Sequence, residues 1–189
     1  MRSCPNPRAD RDASFINRKT LEFIMAFDAF LRIEGIPGES TDDKHQDWIE
    51  VLSFNHSMEQ PASATASSVG GATAERVNHG SFEVTHLLDQ ASPKIYDACC
   101  TGKHIKEVTL ELCRAGGDKV KYMEVKLEQV VISKVVPAGA ANDQGFPQEK
   151  ISFSYGRIKW TYTRQKRDDG TGGGNVSAGW DLTANKAVA

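Results

Sequence analysis

The sequence LLDQASPKIYDACCTGKH, residues 87–104, opens the stretch that decides the fold. Two long segments follow it, up to Val136, in which apolar and polar side chains alternate. Alternation with a period of two is typical of strands that bury one face. The stretch therefore predicts one short helix followed by a long amphipathic β-hairpin, and this unit is the centre of the predicted fold.

The helix has a start signal and a stop signal. Ser92 precedes Pro93, and a serine hydroxyl can accept one of the unpaired amides of a first turn, while proline lacks the amide that would be unpaired there. Gly102 predicts the end, because glycine readily adopts the positive φ that closes a last turn. The helix between them has about three turns, and three residues share its apolar side: Ile95, Ala98 and Cys99.

The hairpin is predicted from two runs of alternating residues. On the first strand, His104 to Arg114, one face carries Val108, Leu110 and Leu112. On the returning strand, the expected buried face carries Met123, Val125, Leu127 and Val131. Gly116-Gly117-Asp118 lies between the runs and predicts a tight turn.

In two further predicted strands, the alternation of apolar and polar residues shifts by one position. In the strand predicted from Trp48 to Met58, the apolar positions shift from Val51 to Leu52, which predicts either a bulge or a strand covered on both faces. In the later run, Gly156 separates odd-numbered from even-numbered apolar residues and predicts a second bulge. With about seven or eight strands and one helix, the fold class is mainly β: a small β-barrel or two-sheet sandwich with one short flanking α-helix.

The chain divides into three parts by composition. Residues 1–24 are basic and lack a periodic apolar pattern, which predicts a disordered arm or a leader before a true start at Met25. Residues 25–167 form the barrel domain, with Gln60 to Thr73 as a mobile Ala/Ser/Thr/Gly loop. Residues 168–189 are predicted as a glycine-rich linker and a C-terminal strand or tail.

Composition excludes several classes of function. The 189 residues carry a net charge of −2, which argues against a nucleic-acid partner. The sequence contains no run of about eighteen apolar residues, the length needed to span a bilayer. The cysteines show no disulfide framework, so we expect the chain to fold in a reducing cytoplasm.

No catalytic or metal-binding motif stands out. Thr101-Gly102-Lys103 resembles the end of a phosphate loop, but Asp97 stands where the earlier glycine belongs. Cysteine and histidine are close in sequence at Cys99, Cys100, His104 and Cys113, but they lack metal-ligand spacing, so buried thiols are the preferred interpretation. Asp and His also cluster between Glu39 and Asp47, where we favour a solvated acidic loop over a metal site. We therefore expect no enzyme, no cofactor and no metal.

Several short motifs, taken in their order and spacing, resemble those of the Hcp (haemolysin-coregulated protein) family. They are Met25-Ala-Phe-Asp-Ala-Phe30, Gly38-Glu39-Ser40, Leu88-Asp89-Gln-Ala-Ser92-Pro93-Lys94, Cys100-Thr-Gly102-Lys103-His104, Arg114-Ala-Gly116-Gly117 and Gly179-Trp180. The resemblance covers about residues 25–182.

The resemblance implies a function in assembly. Proteins of this family form the inner tube of the bacterial type VI secretion system. The expected partners are copies of the same chain in stacked hexameric rings, a contractile sheath, a valine-glycine repeat spike and effector proteins in the lumen. The chain would be made in the bacterial cytoplasm and then secreted through the apparatus. The alternative is a monomeric ligand-binding β-barrel, which would need an internal cavity.

Two sets of residues are predicted to serve that assembly. A long polar loop in a compact domain is often functional, and we expect the loop from Glu39 to Asp47 to contact the next ring through Glu39, Ser40, Asp42, Asp43, Lys44 and His45. Small uncharged side chains suit a wall that binds varied cargo weakly, and we expect the lumen to be faced by Ser53, Asn55 and Ser57.

Overall fold

The computed structural model describes residues 27–61, 76–115, 119–139, 145–165 and 172–188. Eleven strands and one helix lie in these ranges, in the following order: β1 Phe27–Ile33, β2 Ile49–Asn55, β3 Met58–Glu59, β4 Asn78–His79, β5 Phe82–Leu87, α1 Ser92–Thr101, β6 His104–Arg114, β7 Lys121–Ala138, β8 Gln148–Ser154, β9 Arg157–Gln165, β10 Gly172–Asp181 and β11 Lys186–Val188. Within those ranges no helix is both long and apolar enough to cross a bilayer.

Six antiparallel strands close into a barrel, in the order β1-β2-β5-β8-β7-β6 and back to β1. The 18-residue strand β7 makes closure possible, because it pairs with β6, with β8 near its end and with β9 near its start. Strands β10 and β11 extend the sheet beyond β9. The predicted mainly β class, with a barrel and one short helix, is confirmed.

The helix ends as predicted but begins differently. Gly102 has φ 62° and closes the last turn. The N-cap is Ala91, whose amide donates to Asp89 Oδ1 at 2.9 Å. Ser92 does not cap the helix, and its hydroxyl instead donates to Glu149 Oε1 on β8 at 2.9 Å. Ile95 and Ala98 are buried and Cys99 packs partly against the core.

The barrel interior is filled by the alternating residues of the central hairpin and its neighbours. The predicted inward residues of β6 are buried, as are Val125 and Leu127 on β7. The prediction for Val131 is wrong, because Gln129 adopts φ 56° and shifts the alternation by one residue. Val130 and Ile132 are buried in its place.

The two predicted phase changes have different structural origins. The register of β2 against β5 shifts between Val51 and Ser53, which confirms the bulge. Gly156 is not a bulge within one strand: it lies in the short break between β8 and β9. A Cβ atom there would lie 2.3 Å from Gln129 Oε1, so glycine permits a close approach at the point where β7 also changes phase.

Some sequence predictions lie outside the described residues, namely those on 1–24, on most of the Gln60–Thr73 loop and on the Gly116-Gly117-Asp118 turn. The predicted glycine linker is described only from residue 172. Residues 172–175 begin β10, which pairs with β9, so this part continues the sheet instead of linking to it.

Candidate functional site

The loop after β1 is anchored to the barrel by His45. This side chain is only 3% exposed, and its ring stacks on Phe30 with 4.1 Å between ring centroids and 4° between planes. Trp48 approaches the same ring edge-on at 5.0 Å. Asp42 Oδ1 lies 2.7 Å from His45 Nδ1, so the acidic residue and the histidine of the loop are partners.

The other nitrogen of His45 faces β6. Nε2 lies 3.0 Å from Glu111 Oε2 and 3.9 Å from Cys113 Sγ. Two lysines neutralise the carboxylates around the ring: Lys119 Nζ lies 2.6 Å from Asp42 Oδ2, and Lys121 Nζ lies 2.8 Å from Glu111 Oε1. The result is a half-buried polar network between the loop and β6, in which two carboxylates and two lysines surround His45.

These charges shift the pKa values of the groups in the network. A hydrogen bond from Lys119, followed by one from His45, holds the pKa of Asp42 well below its usual range. Burial raises the pKa of Glu111, but hydrogen bonds from Lys121 and His45 outweigh it and leave this pKa lowered. Burial, with help from the charges of Glu111 and Asp42, raises the pKa of the Cys113 thiol to about 11.

The expectation of a solvated acidic loop is therefore wrong for its anchor residues. His45 and Ser40 are buried, and Ser40 Oγ donates to Glu50 Oε1 at 3.1 Å. Glu39 is exposed and accepts from the amide of Gln90 at 2.9 Å, which ties the loop to the segment before the helix. The outermost residues of the loop, Thr41, Asp43 and Lys44, are exposed. The role of this loop in contacting another ring stays a prediction.

The three residues predicted to face a lumen are all exposed. Ser53 and Asn55 lie on β2, and Ser57 follows the end of that strand and accepts from the amide of Gly80 at 2.9 Å. The register places Asn55 beside Glu83 of β5, and Ser53 beside Thr85. Their orientation toward a lumen stays a prediction.

The sequence pattern missed the charged neighbours of this face. Glu83 pairs in register with Ser152 of β8, and Lys150 Nζ lies 3.1 Å from Glu83 Oε2. A hydrogen bond from Lys150 leads the interactions that lower the pKa of Glu83. The face is therefore polar, and it carries the Glu83–Lys150 ion pair together with the exposed Lys134 of β7, which pairs in register with Ser152. Alternation within β5 and β8 was the available signal, but it does not say which strand lies beside β2.

Two groups of exposed apolar side chains lie on different parts of the sheet. Leu52, Leu87 and Phe146 line a groove of about 300 Å³ beside the loop residues Glu39 and Thr41. On the extension, Tyr162 of β9 pairs in register with Val176 of β10, and they are 48% and 52% exposed. We name these the groove patch and the extension patch.

The three cysteines in the described part of the chain do not lie together, although they are close in sequence. Cys99 is half-buried on α1 and Cys100 is exposed on the same helix, whereas Cys113 is buried on β6. The group that the structure does bring together is His45, Glu111 and Cys113, whose ligand atoms all lie within 4.8 Å of one another. Sequence reasoning missed this group because His45 and Cys113 are far apart in the chain.

Fold and surface together define the class: a β-barrel protein with a filled, mainly apolar interior and exposed apolar patches on its outside. Residues 30–162 match the family described as "Type VI secretion system effector, Hcp". The chain belongs to this Hcp family of type VI secretion system proteins.

Individual relatives agree with the family match. The chain is 32% identical over 162 residues to "Protein hcp1" of Pseudomonas aeruginosa, covering 85% of this chain and 98% of the relative. A solved "type six secretion system protein" superposes with a TM-score of 0.80 at 34% identity, covering 86% of this chain and 100% of the other. Hcp1 from Salmonella typhimurium superposes at 0.72 with 32% identity, covering 87% and 100%.

Proposed function

We propose that the chain is the structural subunit of a type VI secretion inner tube, assembling into hexameric rings that stack and are expelled. The observation that carries this proposal is the likeness of the barrel to a solved type six secretion system protein over that protein's whole length. In this proposal the protein acts through its surfaces and not through catalysis. It is made in the bacterial cytoplasm and leaves with the tube.

The two exposed apolar patches supply a reason to form rings. A head-to-tail ring needs two different patches that fit one another, one on each side of the subunit. The groove patch is concave, and the extension patch is an exposed cross-strand pair on β9 and β10, so the chain carries two different apolar surfaces. We propose that they meet across the ring interface, where burial of the apolar side chains favours association.

The loop from Glu39 to Asp47 is proposed to contact the next ring. Its anchor through His45 and Asp42 holds the backbone in one conformation before any partner arrives. A preorganised loop loses less conformational entropy on docking than a free one. Asp43 and Lys44 are the exposed residues that such a contact would use.

The outer face with Ser53, Asn55 and Ser57 is proposed to line the lumen, where effectors would be held. Lys150 compensates the charge of Glu83, and the small polar side chains of the face offer hydrogen bonds. Such a surface can hold varied passengers weakly and release them. A sheath around the tube and a spike at its tip complete the proposed set of partners.

Negative-stain microscopy and mass measurement of the purified chain test the tube proposal. We expect rings of six copies, and we expect Val176→Asp with Tyr162→Asp to give folded monomers, because a charge in an apolar interface is costly. Thr161→Asp, on the other face of β9, is the matched control and should leave rings intact. A native chain that stays monomeric at high concentration would contradict the proposal.

A monomeric chain would favour the alternative hypothesis of a ligand-binding barrel, but the packing of the barrel interior is evidence against that hypothesis. The inward side chains Leu31, Val84, Leu110, Ile151 and Phe153 are each at most 1% exposed and belong to one packed cluster. A barrel that binds a small molecule inside keeps part of its interior open.

A further inference from the structure

We propose that His45, Glu111 and Cys113 form a binding site for a divalent transition-metal ion of the zinc type, with Asp42 as the group that orients the histidine. Imidazole nitrogen, carboxylate oxygen and thiolate sulfur are the three donors that Zn²⁺ takes from proteins. This site is separate from the assembly surfaces proposed above.

The distances fit a single ion. In a tetrahedral zinc site with bonds of about 2.0–2.3 Å, two ligand atoms are separated by roughly 3.3–3.7 Å. His45 Nε2 lies 3.0 Å from Glu111 Oε2 and 3.9 Å from Cys113 Sγ, on either side of that range. All three ligand atoms are within 4.8 Å of one another, so small side-chain adjustments place an ion among them.

The fold explains why the donors converge. Glu111 and Cys113 are two residues apart on β6 and therefore point to the same face of the strand. The loop after β1 lies over that face and brings His45 down onto it, held by the stack on Phe30. Cys113 is completely buried and His45 nearly so, which keeps the site away from bulk water.

Each donor is oriented by a further partner. Asp42 Oδ1 binds His45 Nδ1 at 2.7 Å, which leaves Nε2 as the nitrogen that faces Glu111 and Cys113. Lys121 holds the other carboxylate oxygen of Glu111 at 2.8 Å, and Lys119 holds Asp42 at 2.6 Å. A carboxylate behind a histidine is the usual support of a protein zinc ligand.

Both ring nitrogens of His45 face carboxylates, Nδ1 toward Asp42 and Nε2 toward Glu111. Zinc would take Cys113 as the thiolate and His45 through an unprotonated Nε2, while Nδ1 keeps its contact with Asp42. Any protons displaced from these ligands would leave to solvent, as is usual for metal binding.

Cobalt titration of the full chain tests the site, because Co²⁺ replaces zinc and a cobalt–thiolate bond gives a near-ultraviolet charge-transfer band. We expect this band in the native chain and its loss when Zn²⁺ is added. Cys113→Ser should abolish it. Asp42→Asn should keep it but weaken affinity by about 10–100-fold, the range for a group behind a metal ligand.

The control is Cys100→Ser, which removes an exposed thiol on α1 and should leave the band and the affinity unchanged. If Cys113→Ser does not fold, Glu111→Gln provides the test, with an expected affinity loss of at least tenfold at unchanged circular dichroism. A native chain without the band, or a band lost in Cys100→Ser and kept in Cys113→Ser, would overturn the proposal.

Discussion

Nε2 of His86 lies 2.7 Å from Oε1 of Glu149, and both side chains are completely buried where β5 and β8 pair. The two atoms lie within contact distance, but the ring nitrogens of His86 form no hydrogen bond with the described residues. The same Glu149 oxygen accepts the hydroxyl of Ser92 at 2.9 Å. This carboxylate therefore joins the start of α1 to the barrel.

Replacement of that carboxylate should cost much stability. Glu149→Ala leaves His86 and Ser92 buried without their partner, and we expect the free energy of unfolding to fall by about 3–5 kcal/mol. Glu83→Ala, which removes the exposed pair with Lys150 from the same pair of strands, should cost about 0–1 kcal/mol. Urea denaturation followed by circular dichroism measures the free energy of unfolding of both variants. Equal decreases in the two variants would contradict the role of Glu149 as the buried partner of His86 and Ser92.

Gly38 should tolerate no side chain. A Cβ atom there would lie 2.5 Å from the carbonyl oxygen of Trp48 and 2.7 Å from the amide nitrogen of Ile49, and backbone atoms cannot easily move away. Gly38→Ala should lower the free energy of unfolding by about 1–3 kcal/mol, as overpacking does. Gly145→Ala meets no atom within 4 Å and serves as the control. An unchanged thermal midpoint for Gly38→Ala would show that this approach is not tight.

Leu110 is the central leucine of the hairpin and is 1% exposed. Leu110→Ala should cost about 2–5 kcal/mol, the range for truncation of a buried leucine. Leu52→Ala removes the same atoms from a side chain that is 49% exposed and should cost far less. Chemical denaturation of both variants measures the difference, and a small loss for Leu110→Ala would mean that its face is assigned wrongly.

The depressed pKa of Asp42 should make stability fall in acid. A carboxyl group whose folded pKa lies below its unfolded value of about 3.9 stabilises the fold above that value, and loses this contribution as pH falls through the folded pKa. Native stability should therefore decrease from about pH 5 downward, and Asp42→Asn should show a smaller decrease together with lower stability at neutral pH. Asp43→Asn, on the exposed part of the loop, should behave like the native chain. Parallel pH profiles for the native chain and Asp42→Asn would contradict the role of Lys119 and His45 at this carboxylate.

Asn55 offers a test of the proposed lumen face. Asn55→Arg adds one positive charge per subunit, and the neighbouring Glu83 can accept from it, so the fold should be kept. We expect intact rings that lose or change effector proteins in co-purification. Cys100→Arg adds the same charge on the exposed side of α1 and should leave cargo unchanged. Retained cargo in Asn55→Arg, or dissociated rings, would show that this face does not line the channel.

Local pattern was sufficient for most individual elements. The helix end at Gly102, the inward face of β6 and the bulge after Val51 were all predicted, because each depends on a residue and its near neighbours in sequence. The prediction for Val131 failed because Gln129 takes a positive φ, which nothing in its own side chain requires. Ser92 was predicted as a cap because a hydroxyl suits that position, but Ala91 is the N-cap, and the Ser92 hydroxyl donates instead to Glu149 on a distant strand.

The sequence by itself determined that the chain is mainly β, that it carries one short helix between strands, and that it resembles the Hcp family. Tertiary structure alone decided that β7 pairs with β8 to close the barrel, that His45 is buried against Glu111 and Cys113, and that Asn55 lies beside Glu83. The physical reason is that periodicity indicates which face of a strand is buried. The neighbour of that strand depends on pairing between segments that are far apart in the sequence. The partners of polar side chains can therefore be identified only when the order of the strands is known.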